Sequence, residues 1–206
     1  MKIAMINASP KTGEGSSRTL LEKLDGLLSG ERISVELHKK TVSEEQLAAL
    51  NGCDAWVFAF PLYIDAVPSH LLSCLCQLEE QARDKEICVY AVVNCGFYEG
   101  CQARHALAVI KSFCRRAGLE WGMGVGFGGG GGLEFMSGVP LGAGPMKSLG
   151  GAFDALAKAI VNGTSADDAL ISIDFPRFLY TIGAESMWNK MAKVNGLKKK
   201  DLNRKL

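Results

Sequence analysis

Short apolar runs alternate with helically spaced leucines along most of the chain, and this alternation predicts the architecture. Ile3 to Ala8 is an apolar run ended by Ser-Pro and a glycine-rich turn, the pattern of a buried strand. From Ser17 to Leu28, Leu20, Leu21, Leu24, Leu27 and Leu28 recur at helical spacing. Ile33, Val35 and Leu37 alternate with polar residues and predict a strand nearer an edge. Ser43 and Gln46 have the form of a capping box opening a short helix to Leu50. Ala55 to Phe60 is apolar on both faces and stops at Pro61; a helix over Leu71 to Leu78 follows. Ile87 to Val93 repeats the two-sided pattern, then a helix runs from Gln102 to Ala117 with Leu107, Ile110, Phe113 and Cys114 on one face. Trp121 to Phe127 predicts a fifth, glycine-interrupted strand and Met146 to Val161 a fifth helix.

Strands buried on both faces and alternating with helices require a parallel sheet covered on each side. The expected fold is α/β, a doubly wound five-stranded parallel sheet over residues 1–165. Residues 166–206 form a C-terminal helical extension, with Phe175, Phe178, Leu179, Trp188 and Met191 as its apolar face. Such sheets bind ligands at the carboxyl ends of their strands, where strand order reverses.

Composition narrows the partners. The net charge is +1, from 23 basic and 22 acidic residues, so nothing electrostatic points to nucleic acid. The basic run Lys198, Lys199, Lys200, Arg204 and Lys205 reads as a solvated tail. The chain carries 7 cysteines, an odd number without C-x-x-C spacing; this suits a reducing, cytoplasmic setting rather than a disulfide framework. No apolar run is long enough to span a bilayer, so no membrane partner is expected.

Three loops leave the carboxyl ends of predicted strands. Ala8 to Arg18 joins a strand to a helix N-terminus, where free amides and the helix dipole favour an anion. Ser9, Thr12, Ser16 and Ser17 offer hydroxyls, Lys11 or Arg18 a positive charge, and Gly13 and Gly15 let the backbone curl. The same residues also suit a polar turn capped by Ser16 or Ser17. Phe60 to Pro68 offers an aromatic and apolar rim for a flat heteroaromatic ring, or a rigid turn that closes the core. Asn94 to Gly100 offers backbone donors beside Gly96, or simply the start of the next helix. The weight lies in all three falling on one sheet edge.

These residues resemble a known family. Ile6-Asn7-Ala8-Ser9-Pro10-Lys11 with Gly15-Ser16-Ser17 and Leu20 resembles the G-S-P-R…G-[NS]-[ST]-x-x-L loop of NAD(P)H-dependent FMN reductases and related flavodoxin-like oxidoreductases. Phe60-Pro61-Leu62-Tyr63 followed by Pro68 is similar to that family's P-x-Y…P loop. The resemblance covers residues 1–165, with Ala8 where glycine is frequent and Ser16 where asparagine is common. It implies a flavodoxin-like fold and FMN as cofactor, with Ser9, Lys11, Ser16 and Ser17 at the phosphate. Pro61, Leu62, Tyr63 and Asp65 would lie along the ring, and Asn94, Cys95, Gly96 and Glu99 at its pyrimidine edge. It further implies NAD(P)H as electron donor, a small-molecule acceptor such as a quinone, nitroaromatic, flavin or metal complex, and a homodimer or higher homo-oligomer. No side-chain acid or base is required, because the flavin carries the electron chemistry. A flavodoxin-type carrier that binds FMN without reacting with NAD(P)H is the alternative.

Other signals are weaker. Gly124 to Gly129 matches G-x-G-x-x-G by letter, but late in the chain and among many glycines, so a dinucleotide site is not expected there. The tract Gly128 to Gly132 reads as an irregular connection. His38, His70 and His105 are isolated, the cysteines do not cluster, and no metal or iron–sulfur site is expected.

Overall fold

The computed structural model describes residues 1–83, 85–136, 138–199 and 201, and the side chains of 134 and 135 are not described. Lys200, Arg204 and Lys205 of the basic run therefore lie outside the described residues.

The strands are β1 (Lys2–Asn7), β2 (Glu31–Glu36), β3 (Ala55–Pro61), β4 (Cys88–Cys95), β5 (Glu120–Gly128) and β6 (Ala169–Ile171). They form a 6-stranded sheet in the order β2-β1-β3-β4-β5-β6, with every neighbouring pair parallel. The helices are α1 (Ser16–Asp25), α2 (Glu44–Asn51), α3 (Ser69–Gln81), α4 (Arg104–Ala117), α5 (Lys147–Asn162) and α6 (Arg177–Val194).

The sheet is parallel as expected, but it has six strands rather than five. The extra strand, β6, pairs with β5 through Val125, Gly126 and Phe127. Only 3 residues long and half-buried, it shows no two-sided apolar run in the sequence. Aspartates precede it, and Asp168 has a structural use: its Oδ1 accepts from Trp121 Nε1 at 3.2 Å and from the Gly124 amide at 3.0 Å.

Two-sided burial holds the sheet in place. Trp56, Phe58 and Phe60 of β3 lie in one core with Leu71 and Leu75 of α3 and Leu107, Ile110 and Phe113 of α4. Each such side chain contributes about 1.5–3 kcal/mol when fully buried. The capping box of α2 forms as expected, Ser43 Oγ accepting from the Gln46 amide at 3.2 Å and Gln46 Oε1 from the Ser43 amide at 2.9 Å.

The glycines of β5 are packing devices. A register shift opposite Val89–Ala91 puts Gly122 against the Tyr90 ring, while Gly124 and Gly126 face Leu107 and Ala103. A Cβ on Gly128 would overlap the Tyr98 carbonyl, so this strand end and the loop after β4 approach backbone to backbone. Gly124 to Gly128 of the G-x-G-x-x-G letters therefore lie within β5, and only Gly129 falls in the turn after it.

The chain divides into two compact units, Met1–Ile173 and Asp174–Leu206. The first holds the whole sheet. The second contains α6, on which Phe178, Leu179, Ile182, Trp188 and Met191 are all exposed. At about 100° per residue, Ile182 and Met191 point to opposite sides of the helix, so these side chains do not form a single face. Among the described residues, no helix is long and apolar enough to cross a membrane.

Candidate functional site

Strand register brings the three loops to one level. Pro61 of β3 pairs with Asn94 of β4, which pairs with Phe127 of β5. The Ala8 amide bonds the Ala59 carbonyl at 2.8 Å and the Leu62 amide bonds the Asn94 carbonyl at 2.8 Å. Between β1 and β3 the strand order reverses, the place where sheets of this kind bind ligands.

The first loop is open at the helix start. The residue before α1 is Gly15, and no side chain caps the helix. Neither Ser16 nor Ser17 acts as the cap, so the first-turn amides of α1 have neither an intrahelical acceptor nor a capping oxygen. Both serine hydroxyls are engaged elsewhere. Ser16 donates to the Gly130 carbonyl at 2.8 Å, and Ser17, which is buried, accepts from Asn94 Nδ2 at 2.9 Å. Ser9 is also buried and accepts from the Lys11 amide at 3.2 Å. The first-turn amides remain as donors at this helix start, the Ser9 and Ser17 hydroxyls, which accept in these bonds, keep an O–H of their own, and Lys11 is exposed. Gly13 adopts φ 87°, and a Cβ there would meet nothing within 4 Å.

The second loop is a tight hairpin. Tyr63 and Ala66 exchange N–H···O bonds of 3.1 Å each, with Ile64 and Asp65 between them at φ 52° and 56°. Two left-handed residues give the turn its sense. A β-branched isoleucine there is strained, by about 1–2 kcal/mol. Ile64 is 100% exposed and Tyr63 50%, so the turn holds an apolar tip and a ring in solvent.

The third loop carries Phe97, 56% exposed, beside Gly96, where a Cβ would again meet nothing within 4 Å. Cys95 is buried, its thiol 3.7 Å from the Phe97 carbonyl and 3.6 Å from that of Glu99. Burial pushes this thiol's pKa up, and the charges of Asp65 and Glu99 add to the rise. The glycine tract closes against both neighbours: the Gly129 amide donates to the Phe97 carbonyl at 2.6 Å, and Gly130 receives Ser16.

Two residues at the site had no role in the sequence reading. Glu36, at the end of β2, accepts from Asn7 Nδ2 at 2.8 Å and pairs with Arg18 Nη2 at 2.7 Å and His38 Nε2 at 2.7 Å. His38 Nδ1 reaches the Ser9 carbonyl at 2.6 Å, and Arg18 Nε donates to the Gly13 carbonyl at 3.0 Å. The readable signal was a Glu-x-His pair leaving an edge strand level with the first loop. Arg18 is engaged on this outer side rather than held in reserve as a loop cation. A groove of about 500 Å³ between α1 and β2 is lined by Asn7, Arg18, Arg32 and Glu36 among others, and includes nothing from the loops after β3 and β4. Among the described residues, no group of three or more His, Cys, Asp or Glu is placed to hold a metal.

No family model matches the chain, and no curated protein does. Solved structures do match in fold. A short-chain flavodoxin associated with a non-canonical PDU bacterial microcompartment aligns over 80% of this chain and 100% of its own, with a TM-score of 0.55 at 13% identity. A WrbA-like flavodoxin from Agrobacterium tumefaciens aligns over 80% and 99%, with a TM-score of 0.53 at 16% identity. An FMN-dependent NADH-azoreductase from Bacillus anthracis, solved with FMN, aligns over 79% and 100%, with a TM-score of 0.52 at 14% identity. The chain has the flavodoxin-like fold.

Proposed function

We propose that this chain binds FMN at the carboxyl edge of the sheet and works as an oxidoreductase, taking electrons from NAD(P)H and passing them to a small-molecule acceptor. The observation that carries the reading is the uncapped start of α1 beside two loops that hold Tyr63 and Phe97 in solvent. Amides at a helix start favour a phosphate dianion, and half-exposed rings at the same edge suit a flat heteroaromatic.

The residues fit the group. A monoester phosphate would take the Ser16, Ser17 and Arg18 amides, with Ser9 and Lys11 at its rim. The open spaces at Gly13 and Gly96 leave room for backbone to approach it and the ring's polar edge. Pro61, Leu62, Tyr63 and Asp65 would bound one side of the ring, and Asn94, Cys95, Gly96 and Glu99 the other. Asn94 and Cys95 act from below, because both side chains are buried and hold the loops rather than face outward. Bound FMN supplies the two-electron chemistry, and the protein supplies position and electrostatics.

The solved FMN-dependent NADH-azoreductase of the same fold supports both the cofactor and a nicotinamide donor. A homodimer or higher homo-oligomer is proposed from the family resemblance, with the exposed Phe178 and Ile182, which lie about 40° apart on α6, as the surface to probe.

The test is spectroscopic. Purified protein loaded with FMN is made anaerobic and mixed with NADH or NADPH. Loss of the flavin's visible absorbance supports the reductase. An unbleached flavoprotein would instead mean a carrier fed by another donor, and failure to take up FMN overturns both.

A further inference from the structure

An anion-binding loop has two sides. Amides must point at the anion, and the carbonyls of the same peptide units must then point away, where they need donors of their own. In the first loop the Ser9 and Gly13 carbonyls are each captured by a side chain, His38 Nδ1 at 2.6 Å and Arg18 Nε at 3.0 Å. The Gly13 carbonyl shares its peptide unit with the Glu14 amide, whereas the Ser9 carbonyl is joined to Pro10, which has no N–H, and its capture fixes the entry to the loop. Both captors are anchored on one carboxylate, Glu36, through its two oxygens at 2.7 Å each, His38 bridging Glu36 and the Ser9 carbonyl in the form with an N–H on both ring nitrogens. Glu36 Oε2 also accepts from Asn7 Nδ2, and Asn7 Oδ1 in turn accepts from the Ser9 amide at 3.3 Å. The backbone of Glu36 is fixed too, because its carbonyl accepts from Gln46 Nε2 at 2.7 Å.

We propose that Glu36, acting through His38 and Arg18, is the positioning residue of the phosphate loop: it fixes the Ser9–Pro10 entry to the loop and holds the Gly13 carbonyl, so that the Glu14 amide of the same peptide unit faces the phosphate. This rests on the FMN reading above and deepens it. Glu36 touches no cofactor. Its effect is confined to the phosphate end, which gives it a signature that general destabilisation lacks.

The experiment compares FMN with riboflavin, which lacks the phosphate, by fluorescence quenching in wild type, Glu36→Ala and Glu36→Gln. The expected result is FMN affinity lower by about tenfold in Glu36→Ala, the equivalent of one charge-assisted hydrogen bond. Riboflavin affinity stays unchanged, and Glu36→Gln recovers part of the loss. Equal loss for both ligands, or loss for neither, overturns the proposal. Amide hydrogen exchange over residues 9–18 of the ligand-free proteins reads positioning independently of cofactor choice. Faster exchange in Glu36→Ala supports it, and unchanged exchange overturns it. A wild type that binds neither flavin defeats the functional reading, and the exchange data then decide the positioning role alone.

Discussion

Asn94 and Ser17 meet across the sheet edge, the Asn94 amide nitrogen donating to the Ser17 hydroxyl at 2.9 Å and reaching the Phe60 carbonyl at 3.3 Å. One buried side chain on β4 thereby ties the start of α1 to the end of β3, so the loops that would hold phosphate and ring are set by a shared support.

Replacing Asn94 by alanine should remove both bonds and leave buried acceptors without a donor, costing about 1–3 kcal/mol. Urea unfolding of the cofactor-free protein checks this, with the midpoint moving down. FMN affinity should fall in the same variant, because both loops lose their tie.

Gly96 and Gly128 make a contrasting pair. A Cβ on Gly128 meets the backbone of Tyr98 and Glu99, so Gly128→Ala should destabilise the protein by about 1–3 kcal/mol through overpacking. A Cβ on Gly96 meets nothing, so Gly96→Ala should leave stability within about 0.5 kcal/mol. The same variant should weaken FMN binding if the ring's edge approaches that backbone. Thermal melts with and without FMN separate the two effects.

Ile64 is held in the left-handed region with its side chain in solvent. Ile64→Gly should therefore raise stability by about 1 kcal/mol in the cofactor-free protein. An unchanged or lowered unfolding midpoint contradicts the strain argument.

His70 gives a pH dependence with a definite sign. Burial lowers its pKa from the ordinary 6.5, against the opposing pull of the Leu37 and Ala8 carbonyls, with His38 adding to the fall. Between the two pKa values the unfolded chain binds more protons than the folded one, so stability falls as pH drops below about 6.5. Above that value its contribution is complete. Urea midpoints between pH 5 and 8 should show this slope in wild type and a shallower one in His70→Gln.

Much of the fold was legible because two-sided apolar runs such as Ala55 to Phe60 can only be central strands of a covered sheet. β6 was not, because its 3 residues owe their place to pairing with β5 and not to any pattern of their own. The loops could be located from the punctuation at Ser9-Pro10, Pro61 and Gly96, yet the direction of their side chains could not. Ser16 and Ser17 read as hydroxyls for a phosphate, and the sequence does not show that Ser16 also donates to the Gly130 carbonyl or that Ser17 accepts from Asn94 on β4. Glu36 was invisible for the same reason: its importance comes from what the neighbouring strand places beside it.

The most direct measurement is an FMN titration of the cofactor-free protein set beside the same titration with riboflavin. FMN should bind the more tightly by at least about tenfold, one charge-assisted contact's worth, because the start of α1 reads the monoester and nothing else on the ligand. Equal affinity for the two flavins, or none for either, contradicts the account at its root.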